Sequence, residues 1–209
     1  MQNSQIDFVL LRVDTTKQEV ELLCSTAHVN RYGSVCVPPI FAQTARSYLS
    51  DTDVQICSVV SFPMGYVPNR VKLLEITEAI ENGVHEVEVV PNLGNVHTGN
   101  WKAVETEFKE CRKITEAESI ALTVIFEIDL WDESKIKELC NIAADTGVDF
   151  IKTSTDTLLT PIAPKKIQLL AQQLVKSIDI KASGKIQTRA EAVACWEAGA
   201  SRVCTTLPL

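Results

Sequence analysis

The stretch Glu133–Thr155 reads ESKIKELCNIAADTGVDFIKTST and contains the unit from which the rest of the chain is built. Glu133–Thr146 is amphipathic with helical periodicity. Asp132 precedes it as a cap, and Gly147 follows where a left-handed residue ends a helix. Asp149–Thr153 is then short, apolar and strand-like, and it closes on Lys152. The same passage from helix end to strand start recurs at Asn82-Gly83-Val84 and Ala198-Gly199-Ala200. Repetition of this junction predicts βα units rather than hairpins.

Working outward, strands are expected at Phe8–Val13, Ser34–Val37, Ile56–Ser61, Glu86–Val90, Ala121–Glu127, Asp149–Thr153, Ile178–Ala182 and Ser201–Thr205. Helices are expected at Lys17–Asn30, Ile40–Leu49, Pro68–Asn82, Trp101–Ala117, Glu133–Thr146, Pro164–Val175 and Arg189–Ala198. Strands alternating with helices give an α/β chain, and eight strands favour a closed (β/α)8 TIM barrel over an open doubly wound sheet. No linker or composition shift divides residues 1–209, so a single domain is expected. The sequence ends at Leu209 with no helix after the last strand, a shortened C-terminus that leaves a thin spot a second subunit could cover.

Composition supports a packed globular chain. Of 209 residues, 45% are apolar and 22% charged, enough for one core and against disorder. A net charge of −7 argues against nucleic-acid binding, and no apolar run reaches the length of a membrane span. Seven cysteines are scattered without metal-type spacing, which reads as reduced thiols in a cytoplasmic protein, with no metal site expected from them. The first five residues lack the basic and apolar regions of a signal peptide. His28, His85 and His97 are far apart and form no ligand pair.

In a barrel, reactive groups sit at the C-terminal ends of strands. Those positions carry Cys36 on the second strand, Glu88 on the fourth, Glu127 on the fifth, Lys152 on the sixth and Lys181 on the seventh. Asp7 lies at the opposite end of the first strand as drawn. A lone strand-end lysine is ordinarily a solvated loop residue. Two on neighbouring strands, with a carboxylate beside them, are the parts of Schiff-base chemistry: an amine nucleophile, an acid–base partner, and a second cation that lowers the amine's pKa.

These residues give the chain a resemblance to the deoxyribose-phosphate aldolases, class I aldolases with a (β/α)8 barrel. The resemblance is carried by Ile6-Asp7, Ser34-Val35-Cys36-Val37, Phe62-Pro63-x-Gly65 with Lys72 and Glu75, Glu86-Val87-Glu88-Val89-Val90, and Val124-Ile125-x-Glu127. It is densest in Asp149–Thr155, Lys181-Ala182-Ser183-Gly184 and Gly199-Ala200-Ser201-Arg202. It implies that Lys152 forms the imine and that Lys181 depresses its pKa, with Glu88 at the position of the family's relay aspartate and Asp7 in the site. Substrate contacts are implied at Cys36, Glu127, Thr153, Thr155, Ser183, Gly184, Lys185 and Thr206. The substrate would be a small aldehyde or sugar phosphate, no cofactor would be used, and a homodimer is expected.

The chain departs from the family where charge matters. Glu88 is one methylene longer than aspartate. Asp156 replaces the glycine after Thr153-Ser154-Thr155, Lys185 the second glycine of the Ser-Gly-Gly turn, and Gln187 an arginine. Thr123 and Arg12 stand where lysines are usual, and Cys204-Thr205-Thr206-Leu207 replaces a glycine-flanked turn. These changes predict weakened phosphate binding and preserved amine chemistry.

Overall fold

A computed structural model describes residues 1–157, 160–174 and 177–209. Eight parallel strands close into a barrel in chain order. They are β1 (Ile6–Val9), β2 (Ser34–Val37), β3 (Gln55–Val60), β4 (Glu86–Val89), β5 (Ala121–Ile125), β6 (Phe150–Lys152), β7 (Asp179–Ala182) and β8 (Arg202–Thr205). Around them run α1 (Lys17–Asn30), α2 (Ala42–Leu49), α3 (Asn69–Glu81), α4 (Leu93–Thr98), α5 (Trp101–Ala117), α6 (Glu133–Thr146), α7 (Pro164–Gln173) and α8 (Arg189–Glu197).

The predicted punctuation operates as read. Asp132 Oδ1 accepts from the Lys135 N–H at 2.9 Å, and Gly147 ends α6 at φ 71°. Helices α1 and α8 start with reciprocal capping boxes, Thr16 with Glu19 and Thr188 with Glu191. The expected end of the sixth predicted helix, Val175, lies outside the described residues.

Two strand boundaries are corrected by several residues or by a turn, and one helix is added. β1 spans Ile6–Val9 rather than Phe8–Val13, because the chain leaves the sheet after Leu10 donates to Cys36 O at 2.9 Å. Leu11 to Val13 are apolar or amphipathic but belong to the barrel mouth, and Val13 is fully exposed. β5 stops at Ile125, since Glu127 sits at φ 50° and turns the chain. Helix α4 has no counterpart in the sequence reading, being too short for periodicity to show. It depends on Asn92 capping Asn95 N at 3.1 Å and on Gly99 at φ 72°.

Two cores result from the alternation of strand faces. The outer one joins strands to helices through residues such as Val35, Ile56, Val87, Leu122, Ile151 and Val203. A small inner cluster of Val9, Cys36, Cys57, Val59 and Cys204 fills the upper barrel. Beyond β8 no helix forms among the described residues. Leu209 instead packs on the outer core and meets Tyr32, whose Oη accepts from Leu209 N at 3.0 Å. Tyr32 in turn stacks edge-on against Phe8, with ring centroids 5.7 Å apart. The thin spot expected there is thus partly covered by the chain itself.

Candidate active site

Every second residue of a barrel strand points inward, and in this chain many of those residues are charged. Asp7, Glu86 and Glu88 face Lys152, Lys181 and Arg202, all nine-tenths buried except the partly buried arginine. The interior therefore holds as many cations as carboxylates. Balance of that kind is what makes such burial tolerable.

Glu88 is the hinge of the network. Its Oε2 lies 2.5 Å from Lys152 Nζ, and its Oε1 lies 3.3 Å from Lys181 Nζ. The thiol of Cys36 reaches Oε2 at 3.7 Å. The extra methylene relative to aspartate thus lets one carboxylate span both lysines. Lys181 is shared further with Asp7 Oδ2 at 3.2 Å and with Glu86 Oε1. Asp7 also accepts from Ser34 Oγ at 2.7 Å, and Glu86 from Thr123 Oγ1 at 2.5 Å. Arg202 closes the lower end, donating to Asp7 and, at 2.9 Å, to Glu86 Oε2. Lys181 and Arg202 both lie against the Phe150 ring, 5.2 and 5.4 Å from its centroid.

These contacts correct one expectation. Lys181 was expected to lower the pKa of Lys152. Burial does push the Lys152 ammonium down, but Glu88 outweighs it and holds the pKa well above the usual lysine value. Lys181 is likewise held up by Asp7 and Glu86 against burial. Its charge is absorbed by three carboxylates, so it acts on Glu88 rather than on Lys152 directly. Glu88, which burial alone would raise, is lowered by Lys152 and then Lys181. Asp7 is held down to about 2: burial opposes this, and Arg202 and Lys181 overcome it. The resting site is thus a clamped ion pair with the proton on Lys152 and Glu88 as its hydrogen-bonded acceptor.

Above Lys152 opens a cavity of 330 Å³ lined by Val9, Leu10, Arg12, Phe62, Thr155, Asp156, Ser183 and Thr206, among others. Of the expected substrate contacts, Thr155, Ser183 and Thr206 line it. Cys36 sits deeper, beside Glu88. Thr153 faces away and ties β6 to β7, with Oγ1 donating to Ser183 O and accepting from Ser183 N at 2.8 Å. Glu127 braces the β6 exit by accepting the Thr155 N–H. Gly184, at φ 135°, packs so closely that a Cβ there would meet Ile162 at 3.0 Å. Lys185 enters through its backbone, donating N–H to Asp156 Oδ1 at 2.8 Å. Glu127, Thr153, Gly184 and Lys185 therefore shape the walls rather than line the cavity.

Glu86, Arg202 and Ser34 were missed as site residues. The signal for them was in the sequence: stepping back two residues along a strand from Glu88, Cys204 and Cys36 lands on each of them, on the same face. Two clusters have metal-like composition, Cys36/Cys57/Glu88 and Asp7/Glu88/Cys204, with ligand atoms within 4.8 Å. Both depend on Glu88, whose oxygens are engaged by ammonium groups. Burial keeps the Cys57 thiol protonated, its pKa pushed well up. Burial likewise holds up the Cys204 thiol, so a cysteine of each cluster keeps the proton that metal binding would remove.

The comparisons agree with the geometry. A model of the DeoC/LacD family of aldolases matches residues 6–205. Deoxyribose-phosphate aldolase 1 of Vibrio vulnificus (strain YJ016) is 35% identical over 96% of this chain and 91% of its own. Deoxyribose-phosphate aldolase of Thermoanaerobacter pseudethanolicus (strain ATCC 33223 / 39E) is 36% identical over 95% and 89%. The structure described as a unique tetrameric deoxyribose phosphate aldolase from Aeropyrum pernix superposes with a TM-score of 0.91. Its identity is 29%, over 98% of this chain and 86% of that one. The match runs from the first barrel strand to the last, and the chain belongs to the DeoC/LacD family of aldolases.

Proposed function

We propose that this chain is a class I aldolase of the deoxyribose-phosphate aldolase type, which reversibly releases acetaldehyde from a 2-deoxyribose sugar and leaves a three-carbon aldehyde, glyceraldehyde 3-phosphate where the sugar carries its 5-phosphate, with Lys152 as the Schiff-base lysine. The observation that carries the reading is the Lys152–Glu88–Lys181 bridge, which opens onto a cavity. Proton transfer from Lys152 to Glu88 leaves a neutral amine beside a carboxylic acid. The amine adds to the aldehyde carbon and water leaves, giving an iminium. The iminium draws electrons from the bond between the second and third carbons as the hydroxyl on the third gives up its proton. The three-carbon aldehyde departs, and the remaining enamine takes a proton at the second carbon. Hydrolysis then releases acetaldehyde and restores the amine. Protons taken and given balance over the cycle, and Glu88 is the group placed to hold one between steps.

Lys181, Asp7, Glu86 and Arg202 fix Glu88 and set its charge, and Thr155, Ser183 and Thr206 offer hydroxyls to the acceptor part of the substrate. No helix among the described residues is long and apolar enough to cross a membrane. All seven cysteines are free and buried, which supports a cytoplasmic setting. A homodimer is part of the same proposal.

The test is borohydride reduction in the presence of acetaldehyde, followed by peptide mass spectrometry. The expected product is an ethyl adduct on Lys152, absent from Lys152→Ala. An adduct on another lysine, or none on folded protein, refutes the assignment.

A further inference from the structure

The cavity above Lys152 has an unusual far wall. An anion bound by a loop-rich mouth is ordinarily held by free backbone N–H groups. Here Thr155, Asp156, Thr157, Ser183, Lys185 and Leu207 each already give their N–H to a side-chain oxygen of the protein. Four of the acceptors are hydroxyls, of Ser154, Thr155, Thr153 and Thr205, at 3.0, 3.3, 2.8 and 3.1 Å. The other two are the carboxylates of Glu127 and Asp156.

Asp156 is the decisive one. It stands in the left-handed region at φ 65°, which aspartate tolerates, and projects its carboxylate onto the turn after β7. That turn is Gly184, at φ 135°, followed by Lys185, at φ 51°. A turn can gather successive backbone N–H groups into an anion-binding concavity. Asp156 Oδ1 takes the Lys185 N–H at 2.8 Å, so the protein's own carboxylate occupies it. A left-handed lysine is strained, and this charge-assisted hydrogen bond offsets that strain.

The two cations lining the cavity supply little compensation, since Lys152 is buried and paired with Glu88. Arg12 is exposed and already paired with Asp14 at 2.9 Å and Glu19 at 2.6 Å. What the described rim offers a ligand is hydroxyl groups, from Thr155, Ser183 and Thr206, and one negative charge. Hydroxyls suit a polyol, whereas a carboxylate repels a phosphate dianion at close range.

We propose that the acceptor end of this site selects an uncharged, hydroxylated aldehyde over a phosphorylated one, with Asp156 as the residue that excludes the phosphate. This rests on the aldolase reading above and revises only the terminal group of its substrate. The free sugar 2-deoxyribose and its 5-phosphate are the discriminating pair.

The experiment measures kcat/KM for cleavage of both sugars by the full chain and by Asp156→Asn and Asp156→Gly, which suit a positive φ. It also measures inhibition by inorganic phosphate, with acetaldehyde trapping at Lys152 run on every protein. Wild type is expected to cleave the free sugar at least as efficiently as the phosphate, without competition from inorganic phosphate. Both variants are expected to shift the ratio toward the phosphate by about tenfold or more. A wild-type preference for the 5-phosphate with competitive phosphate inhibition overturns the proposal while leaving the aldolase intact. An unchanged ratio in variants that still trap acetaldehyde overturns the role of Asp156. Absence of trapping in the wild type sinks the underlying aldolase reading, and this proposal with it.

Discussion

Lys72 and Lys152 are both buried, and each has a carboxylate oxygen 2.5 Å from its ammonium group. The Lys72 pair lies outside the barrel, at the base of a 580 Å³ groove formed by α3, α4, α5 and their loops. Its ammonium also donates to Val90 O at 2.8 Å, and the second oxygen of Glu107 accepts Asn92 N at 3.2 Å. Each partner is thus committed to backbone groups, and the pair pins the exit of β4 to the helices. In the barrel, Glu88 instead divides its two oxygens between two amines. A proton there has somewhere to go and comes back to an equivalent place. The larger groove therefore belongs to a brace, and the smaller cavity is where the proposed chemistry would take place. Burial and pairing of a lysine do not by themselves mark a catalytic group. What distinguishes one is a carboxylate shared with a second cation below an open cavity.

Several measurements can break or sharpen this contrast. The largest effect is expected at the two lysines that do not contact substrate carbon. Lys181→Leu removes one of two cations from each of three carboxylates and Lys72→Leu leaves Glu107 without its cation, and each change is expected to cost about 3–5 kcal/mol in urea unfolding. Their kinetics should diverge. Without Lys181, Glu88 pairs with Lys152 alone, the amine is held still more firmly protonated, and the pH optimum moves upward. Lys72→Leu should leave the optimum where it is. A shift in the Lys72 variant, or none in the Lys181 variant, erases the contrast.

Shortening the carboxylate is the next test. Glu88→Asp withdraws it by about one methylene from a bridge that needs both ends, and kcat is expected to fall roughly tenfold to a hundredfold. Glu107→Asp is expected to lower stability and leave kcat near the wild-type value. Equal kinetic losses in the two variants would mean that Glu88 acts only as packing.

The smallest effect concerns acid. Asp7 titrates near 2 in the folded chain, below an ordinary aspartate, because Arg202 and Lys181 outweigh its burial. A depressed carboxylate contributes stability that is complete above its unfolded pKa and lost as pH falls toward the folded one. Stability should therefore decline between about pH 4 and pH 2 by on the order of 2 kcal/mol from this group. Asp7→Asn, already destabilised, should show a shallower decline over that window, and an identical slope would remove Asp7 from the network.

Much of this was legible in the sequence. Helices Lys17–Asn30, Trp101–Ala117 and Glu133–Thr146 occur with the bounds read from periodicity and caps, because those signals are local. Strand number and alternation with helices were enough to choose a barrel. Lys152, Lys181 and Glu88 were read as neighbours because strand ends in a barrel converge, and they do meet there. The end of β1 was misread because Leu10, Leu11 and Val13 are apolar for the barrel mouth and not for the sheet.

The sequence by itself determined the order of elements, the barrel and the identity of the paired lysines, since these follow from periodicity, turn residues and two-residue alternation. Tertiary structure decided where each charge is spent. Glu86 and Arg202 are 116 residues apart, yet Arg202 Nη1 donates to Glu86 Oε2 at 2.9 Å. Asp156 and Lys185 are 29 residues apart, yet one fills the turn that the other begins. The strength and sign of an electrostatic effect depend on distance and burial, and only closure of the barrel sets those for residues so far apart in the chain.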